Sequence, residues 1–496
     1  MSSPVLLSLS SFIQLDRSST TPLFIQLTQQ VINGIQRGIL ISGSKMPGTR
    51  LVSTELNLHR KTVIAAYEEL QAQGWIDIVP SKGTFVLQQK KTKQTISSDI
   101  PPISIAQYPS KTGYEIDGSN ILDNPFEENT TPYFFSDGSC DIRLAQMKSL
   151  SLQYSASMNR KSNLKRMSQY QENGNLFFKE QLSNYLNLSR GLHISKHNLL
   201  ISRSSEMSIY LIAKVVLRPS DRVVVAELSN FAVNMTFLQA GAKVETIPLD
   251  KDGICVESLK EKLTKGTIRM LYITPHHHYP TTVTLSAQRR LELLQLANQY
   301  GFVIVEDDYD YDFHYEKAAV LPLASADING MVIYTGTFGK SLAPAFRTGF
   351  VVAPLNLIQE MNKYLGIIDR HGDVVMEQAL GEMIDEGEVH RQLKKSLKVY
   401  KERRDSMCEM LSTLLKEQIS FDTPSGGLAI WAELQKGKPL IGIRNECLKR
   451  GLLIPRHILY QNRQICAMRI GFGHMNEDEI EESLKIFKSA IETCWQ

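Results

Sequence analysis

Residues 332–341, VIYTGTFGKS, combine a short apolar run with a turn that carries two glycines and one lysine. The apolar run is typical of a buried strand, and Lys340 follows it among small residues, with Arg347 seven positions further along. A lysine at such a turn can form a Schiff base if the phosphate of an aldehyde cofactor binds over the turn. Since a lysine after a strand is usually only a solvated chain end, this interpretation needs support from elsewhere in the chain.

A run of acidic residues lies upstream, directly after the apolar run 303–305. Residues 306–312 read EDDYDYD, and so many carboxylates at a strand end are unfavourable unless a positive charge answers them. A divalent metal or a helix N-terminus is one explanation, and a protonated pyridine nitrogen is the other. The 33 positions from Asp307 to Lys340 leave room for one crossover helix and the return to a neighbouring strand.

From about residue 133 onward, helical patterns alternate with short apolar strands. This pattern predicts an α/β fold with a mainly parallel sheet, in which ligands bind at the carboxyl ends of the strands. The predicted strands are 199–201, 223–225, 243–247, 270–273, 303–305 and 332–334.

The loops that follow these strands contain further candidates. Ser204, Ser205 and Glu206 open a helix whose N-terminus suits a phosphate, although a simple serine cap explains the pattern equally well. Phe231 is placed to stack on a flat ring, but a loop aromatic more often serves for packing. The three histidines 276–278 cannot all point one way, so no metal site is expected there, while one or two of them could line a pocket.

The N-terminal region is more basic than the rest of the chain. Its first 93 residues hold ten lysines and arginines against five acids, a net charge of +5, which leaves −2 for the remainder because the whole chain carries +3. This asymmetry indicates an anionic partner for the N-terminal region. Between residues 21 and 86 the pattern predicts a first helix, a Pro-Gly break, helices at 51–56 and 61–73, and two short strands around 80–83.

That order of elements is a helix-turn-helix with a wing. A recognition helix presents its N-terminal residues to the major groove, while residues before the first short helix and at the wing tip reach the backbone or the minor groove. A small helical domain with ordinary surface charge is the alternative. The candidate DNA contacts are Arg60, Lys61, Thr62, Arg50, Lys82 and Gly83.

Residues 47–86, PGTRLVSTELNLHRKTVIAAYEELQAQGWIDIVPSKGTFV, resemble the winged helix-turn-helix of the GntR regulator family, and the likeness covers about residues 21–87. It includes the arginine after the Pro-Gly break, the R-x-T helix start, the AYEEL core and the GTFV wing. The resemblance implies that double-stranded DNA is a partner and that Arg50, Arg60, Thr62 and Gly83 contact it.

A polar stretch broken by prolines follows the wing. It has no sustained helical period and few apolar residues, so a flexible linker is expected. The sequence therefore predicts a winged helix-turn-helix domain at 18–88, a linker at 89–132 and a large domain at 133–496.

The large domain resembles the fold-type I aminotransferases, which use pyridoxal 5'-phosphate, over about residues 133–496. The acid-to-lysine portion is the most specific part of this likeness. The resemblance implies that Lys340 carries the Schiff base, that Asp307 pairs with the pyridine nitrogen and that Tyr309 bonds to the phenolic oxygen. It also implies that Arg469 clamps the carboxylate of an amino compound.

The same resemblance assigns the remaining cofactor contacts. Thr337 and Arg347 would hold the phosphate together with the turn at 204–206, and Phe231 would stack on the ring. Tyr170 would reach the phosphate of a neighbouring subunit.

Several residues depart from the aminotransferase pattern. Ser204 replaces an expected glycine, Glu206 a glutamine and Phe231 a tyrosine, while Gly339 stands before the lysine in place of serine. Tyr279 lies where an asparagine would contact the ring oxygen. These departures weaken the case for efficient transamination more than the case for cofactor binding.

A GntR-like head, a long linker and an aminotransferase-like body together resemble the MocR subfamily of transcriptional regulators. The resemblance implies a homodimer, often head-to-tail, with pyridoxal phosphate in the body. We expect a regulator whose effector is pyridoxal phosphate, alone or with a small amino compound. One alternative is an active aminotransferase with an incidental head, which the basic head and long linker disfavour. The other is a regulator that has lost its cofactor, which the intact Asp307, Tyr309, Lys340 and Arg347 disfavour.

The sequence also bears on the compartment. No apolar run approaches the roughly 20 residues that span a membrane, and the N-terminus lacks a signal-peptide pattern. The six cysteines are scattered without CxxC spacing, which is typical of a reducing environment. The protein is therefore expected in the cytoplasm, without a membrane partner.

Overall fold

The computed structural model describes residues 9, 12–17, 21–36, 39–41, 43–79, 82–87, 110–116, 118–119, 121–122, 124–168, 174–315, 320–338, 347–370, 372–435 and 439–495. The chain divides into two compact units. The head comprises Met1–Pro125 with Gln461–Gln464, and the body comprises Phe126–Tyr460 with Ile465–Gln496.

The head contains the predicted helix-turn-helix and wing. Its elements are α1 (Leu23–Gln36), α2 (Thr49–Glu55), α3 (Arg60–Ala72) and the antiparallel strands β1 (Ile76–Val79) and β2 (Gly83–Val86). Leu27 and Val31 of α1 and Val63 of α3 are fully buried, because apolar residues at helical spacing lie on one face of each helix. The hydroxyl of Tyr67 donates a hydrogen bond to the carbonyl oxygen of Pro47 at 2.8 Å, which ties α3 to the Pro-Gly break.

The body alternates strands and helices. Its elements are, in chain order, β3 (Tyr133–Phe134), α4 (Met147–Asn159), α5 (Lys161–Met167), α6 (Leu176–Arg190), β4 (Leu199–Ser202), α7 (Ser205–Val216), β5 (Arg222–Ala226), α8 (Phe231–Gln239), β6 (Lys243–Ile247), β7 (Leu249–Asp250), β8 (Gly253–Ile254), α9 (Val256–Thr264), β9 (Met270–Ile273), α10 (Ala287–Tyr300), β10 (Val303–Asp308), β11 (Val332–Thr337), β12 (Gly349–Val352), α11 (Leu355–Ile368), α12 (Val374–Asp385), α13 (Glu388–Leu414), β13 (Ile419–Ser420), β14 (Ala429–Leu434), α14 (Leu440–Lys449), β15 (Leu452–Leu453), β16 (Leu459–Gln461), β17 (Cys466–Gly471) and α15 (Glu477–Trp495).

Seven of the described strands form the main sheet, in the order β4-β12-β11-β10-β9-β5-β6. Strand β12 is antiparallel to both of its neighbours, and the other pairs are parallel. Apolar side chains on both faces of the sheet pack against helices, as buried parallel strands require. The predicted α/β fold with a mainly parallel sheet is confirmed.

Strands β10 and β11 each extend three residues beyond their predicted ends, to Asp308 and Thr337. The first acidic residues therefore lie inside β10 and not after it, and Asp307 is in register with Thr335 of β11. Strand β12 was not expected, since its four residues carry too short an apolar pattern to identify. The longer strands place Asp307 and Thr337 near the same edge of the sheet.

A second sheet of the body has the order β13-β14-β17-β16, in which β14 is antiparallel to both β13 and β17. It shares an apolar core with α13, α14 and α15. Its strand β17 places Arg469 opposite Trp431 of β14. Within the described residues, no helix is both long enough and apolar enough to cross a membrane.

Candidate functional site

A cavity of about 600 Å³ lies in the body at the carboxyl ends of β10 and β11. It brings together many of the residues that the sequence suggests for the cofactor. These are Ser204, Ser205, Glu206, Phe231, Tyr279, Asp307, Thr337 and Arg347. Lys340 and Tyr170 lie outside the residues that the structure describes.

Asp307 is nearly fully buried and lines this cavity. Its Oδ2 accepts a hydrogen bond from the Tyr272 hydroxyl at 2.7 Å, whereas its buried Oδ1 has no hydrogen-bond partner among the described residues. Burial raises the pKa of Asp307 to about 7; the Tyr272 bond opposes this shift, and the charges of Asp308 and Glu206 add to it. A cationic donor in the cavity would satisfy the open oxygen and return the pKa to lower values.

The neighbours of Asp307 in the acidic run have protein partners. Glu306 accepts hydrogen bonds from the backbone N–H groups of residues 323 and 324, each at 2.9 Å. Asp308 accepts one from the Tyr334 hydroxyl at 2.6 Å, and its carboxylate lies 3.2 Å from Nδ1 of His276. The strand-end carboxylates are thus answered by groups from distant segments.

The later members of the run also have protein partners, although Oδ2 of Asp310, which does not line the cavity, has no hydrogen-bond partner among the described residues. Asp310 lies 2.9 Å from Nδ1 of His277, and Asp312 accepts a hydrogen bond from Arg190 at 2.7 Å. Among the residues that the structure describes, no three His, Cys, Asp or Glu side chains are grouped to hold a metal ion.

The N-terminus of α7 forms another wall of the cavity. Ser204 caps the helix, since its hydroxyl oxygen accepts a hydrogen bond from the Met207 N–H at 3.2 Å. The first-turn N–H groups of Ser205 and Glu206 have no acceptor within the helix, as at every helix start. Gly349 of β12 packs so closely that a Cβ there would lie 2.5 Å from the carbonyl carbon of Ser204, so only glycine fits.

Arg347 and Glu206 face each other beside this helix start. Their closest side-chain atoms, Nη2 and Oε2, are 3.7 Å apart, and both side chains are about 70% exposed. Of the two alternatives that the sequence left open, the serine cap is present, because Ser204 caps the helix. The cap leaves the N–H groups of Ser205 and Glu206 available to an anion, so the phosphate site stays a prediction. Glu206 competes with any anion for Arg347.

Aromatic rings cover another side of the cavity. Phe231 begins α8, and its ring centroid lies 6.0 Å from that of Phe126. The ring of Phe126 packs edge-on against His457 at 5.2 Å. Phe126 and Tyr272 are site residues that the sequence did not reveal, because they reach the cavity only through distant packing.

Tyr309 and Arg469 lie beside the cavity, and neither is among its lining residues. The Tyr309 hydroxyl donates to the carbonyl oxygen of His277 at 2.9 Å and accepts from Nη2 of Arg469 at 3.2 Å. Arg469 is 1% exposed, and its other nitrogens donate to the carbonyl oxygens of Asp137 and Pro280, each at 2.8 Å. The guanidinium of Arg469 is therefore hydrogen-bonded to uncharged protein acceptors. Its role as a carboxylate clamp stays a prediction.

The head gathers its candidate DNA contacts on exposed ends of elements. Arg60 and Lys61 begin α3 and are exposed, while Thr62 beside them is half-buried. Arg50 is exposed in the first turn of α2. None of the three cations makes a hydrogen bond or ion pair with a residue that the structure describes.

The wing tip adds further positive charge. Lys82 is exposed, and Gly83 has a φ of +119°, a backbone conformation that favours glycine. The side chain of Lys45 lies so close that a Cβ on Gly83 would be 2.6 Å from its Cε. Lys45 is a candidate contact that sequence reasoning missed, since only the bridge between Lys45 and Phe85 brings it to the wing.

Comparison with known proteins agrees with this division. Residues 25–86 match the gntR family of bacterial regulatory proteins. The whole chain is similar to the uncharacterized HTH-type transcriptional regulator YdfD of Bacillus subtilis, with 27% identity over 96% of this chain and 97% of that protein. It is 24% identical to the probable rhizopine catabolism regulatory protein MocR of Rhizobium meliloti, over 85% of this chain and 84% of the relative.

The body is similar to solved aminotransferase structures. The kynurenine aminotransferase of Pyrococcus horikoshii, solved in complex with PMP, matches with a TM-score of 0.66 and 27% identity. The match covers 73% of this chain and 90% of that structure. A GntR-type helix-turn-helix thus precedes an aminotransferase-like domain in this chain.

Proposed function

We propose that this chain, in which a GntR-type head precedes an aminotransferase-like body as in MocR-type regulators, is a DNA-binding transcriptional regulator whose body binds pyridoxal 5'-phosphate and senses it, alone or with an amino compound. The observation that carries the proposal is the open Oδ1 of buried Asp307 in the cavity. The chain also exposes cations at the start of α3 that pair with no described residue. A ligand site in such a chain suits the regulation of DNA binding better than enzymatic turnover. The domain limits 18–88, 89–132 and 133–496 are part of the same proposal.

The head supports DNA binding through charge placement. Arg60 and Lys61 at the start of α3 reach base edges and phosphates, and Arg50 and Lys82 add phosphate contacts from two other elements. Lysines and arginines that neutralise phosphates release counterions, so affinity falls steeply with salt.

The residues of the cavity fit the cofactor. Asp307 would hold the ring nitrogen in its protonated form, and Phe231 would pack on the ring. Arg347, Thr337 and the first N–H groups of α7 would bind the phosphate, as helix starts bind anions. When bound, the cofactor supplies an aldehyde for amines, with Lys340 as the protein's own amine, and an electron sink. Tyr279 and Tyr309 would orient the ring oxygen, and Arg469 would lie behind them.

A ligand shifts a regulator only through different affinity for its two states. In the proposed mechanism, the cofactor and an amine stabilise one of two arrangements of the residues around the cavity. The head binds its operator DNA with different affinity in these two arrangements.

A homodimer is part of the proposal. Several large apolar side chains of α4 and α5 are exposed: Met147, Leu152, Met158, Leu164 and Met167. Exposed apolar patches of this kind mark association surfaces. A second copy would cover them, and Tyr170 would then reach the neighbouring phosphate site. Sedimentation of the wild type and of Leu152→Glu tests this arrangement.

Active transamination is the second candidate, since Asp307, Thr337 and Arg347 meet at one cavity as in a working enzyme. Glu206 beside Arg347 and the buried donors of Arg469 favour the regulator. Multiple turnover at ordinary enzyme rates, about 10 per second, would favour the enzyme.

The experiment that tests the proposal is fluorescence anisotropy with DNA from upstream of the gene for this protein. The full chain is titrated with and without pyridoxal phosphate, and with added primary amines. We expect salt-dependent, specific binding whose affinity changes with the cofactor. Binding no stronger than to unrelated DNA would reject the regulator, and a cofactor absorbance band that survives in Lys340→Ala would reject the assigned lysine.

A further inference from the structure

Asp137 is a carboxylate that lines the same cavity and has no role in the proposed cofactor site. Its backbone carbonyl oxygen accepts a hydrogen bond from Nε of Arg469 at 2.8 Å. Its half-buried carboxylate makes no hydrogen bond or ion pair with any residue that the structure describes. A charged acceptor is therefore available to a ligand in the cavity.

The backbone around Asp137 is firmly held. Ser136 bridges to Gly471 of β17, whose N–H donates to the Ser136 carbonyl oxygen at 2.8 Å. The Ser136 hydroxyl oxygen also accepts a hydrogen bond from the Ser139 N–H at 3.1 Å. Because both flanks are fixed, the position of Asp137 is a built feature of the cavity wall and not a free loop end.

The charge of Asp137 acts on two tyrosines and one histidine. Burial raises the pKa of Tyr279 to about 12, and the charge of Asp137 adds to this effect. Burial also raises the pKa of Tyr460, again with a contribution from Asp137. Burial lowers the pKa of His457, which Asp137 opposes. Of these three residues, Tyr279 lines the cavity together with Asp137, Phe126 and Phe231.

None of the other described charged residues that line the cavity forms an ion pair with Asp137. These residues are Glu206, Asp307 and Arg347. The proposed cofactor answers Asp307 with its ring nitrogen and engages Arg347 with its phosphate. No further cation lines the cavity within the described part of the chain. The charge of Asp137 acts on buried Arg469, which does not line the cavity and makes no ion pair with the carboxylate. A half-buried carboxylate that makes no ion pair favours a cationic ligand.

Arg469 is poorly placed to bind a ligand carboxylate instead. Its guanidinium donates to two carbonyl oxygens and to the Tyr309 hydroxyl, so an incoming carboxylate would have to displace neutral acceptors. The apolar lining residues Phe126, Phe231 and Val233 suit a short methylene chain.

We propose that the effector is a diamine-type compound, with one amine for the cofactor and a second ammonium group bound by Asp137. The inference rests on the proposed function and names its effector class. A charge-assisted hydrogen bond between the second ammonium group and this partly buried carboxylate should raise the affinity for the ligand about tenfold.

Isothermal titration calorimetry of the cofactor-loaded full chain tests this assignment with 1,4-diaminobutane, n-butylamine and 4-aminobutyrate. These probes share a primary amine and a four-carbon chain, and they differ only at the far end. The diamine should bind about tenfold more tightly than butylamine, and 4-aminobutyrate should bind most weakly. In Asp137→Asn, the advantage of the diamine over butylamine should fall below about twofold.

Asp252→Asn, which removes an exposed carboxylate from a turn of the body, is the matched control and should keep the full advantage. Butylamine or 4-aminobutyrate binding as tightly as the diamine, or an advantage that survives in Asp137→Asn, would overturn the assignment. Cofactor loading is followed by absorbance in the same samples. If no cofactor binds, the proposed function fails at that point, and the ranking of the three amines in cofactor-free protein still decides the role of Asp137.

Discussion

The charged residues of the head and those of the body's acidic run are arranged in opposite ways. Arg50, Arg60 and Lys61 are exposed and unpaired with described residues, whereas the carboxylates at 306–312 are buried and mostly held by protein groups. An exposed cation stays hydrated and remains available to a large polyanion such as DNA. A buried charge must be matched inside the fold, so an unmatched oxygen such as Oδ1 of Asp307 points to a small ligand.

Because one set of charges is exposed and the other is buried, the head should respond to ionic strength and the acidic run of the body to pH. Interactions of the exposed head charges should respond to ionic strength, since screening acts over about 8 Å at physiological salt. Within the buried acidic run, Glu306 and Asp307 should make stability depend on pH, because burial raises the pKa of each carboxyl to about 7.

The largest expected effect is on the pH dependence of stability. The pKa of Asp307 is raised from 3.8 to about 7 in the cofactor-free fold, so wild type should lose stability as pH rises from 4 to 7 and then level off. Asp307→Asn avoids this cost and should be more stable by roughly 4 kcal/mol above pH 7. Urea unfolding at several pH values measures the difference, and at pH 4 it should nearly vanish. A difference independent of pH would contradict the buried, unmatched carboxylate.

The next effect concerns cofactor affinity. Asp307→Asn removes the charge that would hold the ring nitrogen, and we expect a loss of about 100-fold in affinity for pyridoxal phosphate, or about 3 kcal/mol. Absorbance titration measures it. Asp310→Asn is the control, because Asp310 belongs to the same run but is held by His277 and does not line the cavity. Equal losses in the two variants would show that the effect comes from folding alone.

Arg60→Ala should weaken operator binding by about 10- to 100-fold and reduce the salt slope by about one. Anisotropy titrations at three salt concentrations provide both numbers. Lys251→Ala removes one exposed cation from a turn of the body and should change neither. If the two variants behave alike, the recognition surface lies elsewhere on the head.

The smallest effect on cofactor affinity is expected at the predicted phosphate site, where Glu206 faces Arg347. Glu206→Gln removes the carboxylate that competes for Arg347, and we expect two- to fivefold tighter cofactor binding, about 0.5–1 kcal/mol for so exposed a pair. The gain should fade at high salt. Glu227→Gln, an exposed acid outside the cavity lining, should show no gain. Weaker binding in Glu206→Gln would mean that the carboxylate positions Arg347 instead of competing with the phosphate.

The head was the more predictable of the two regions. Its helices, turn and wing follow from local patterns, and α3 begins within one residue of the expected start. Lys45 escaped notice because its approach to the wing depends on a bridge to Phe85, 40 positions away in sequence.

The body was predictable in its sheet and less so in its site. The strand cores and Asp307 follow from apolar runs and the residues next to them. Tyr272, Phe126 and Asp137 were missed, because their place at the cavity depends on contacts between distant segments. Arg469 was found by its strand, but the acceptors that surround it come from remote loops and carry no local signal.

The most direct measurement is the dissociation constant of the operator complex with and without saturating pyridoxal phosphate, paired with the cofactor constant with and without operator. Coupling between two sites is reciprocal, so both ratios should agree, and we expect a change of at least about fivefold. Lys340→Ala and Asp307→Asn should reduce the ratio toward one. Operator affinity that is unchanged when the cofactor is bound would contradict the account of the body as a sensor.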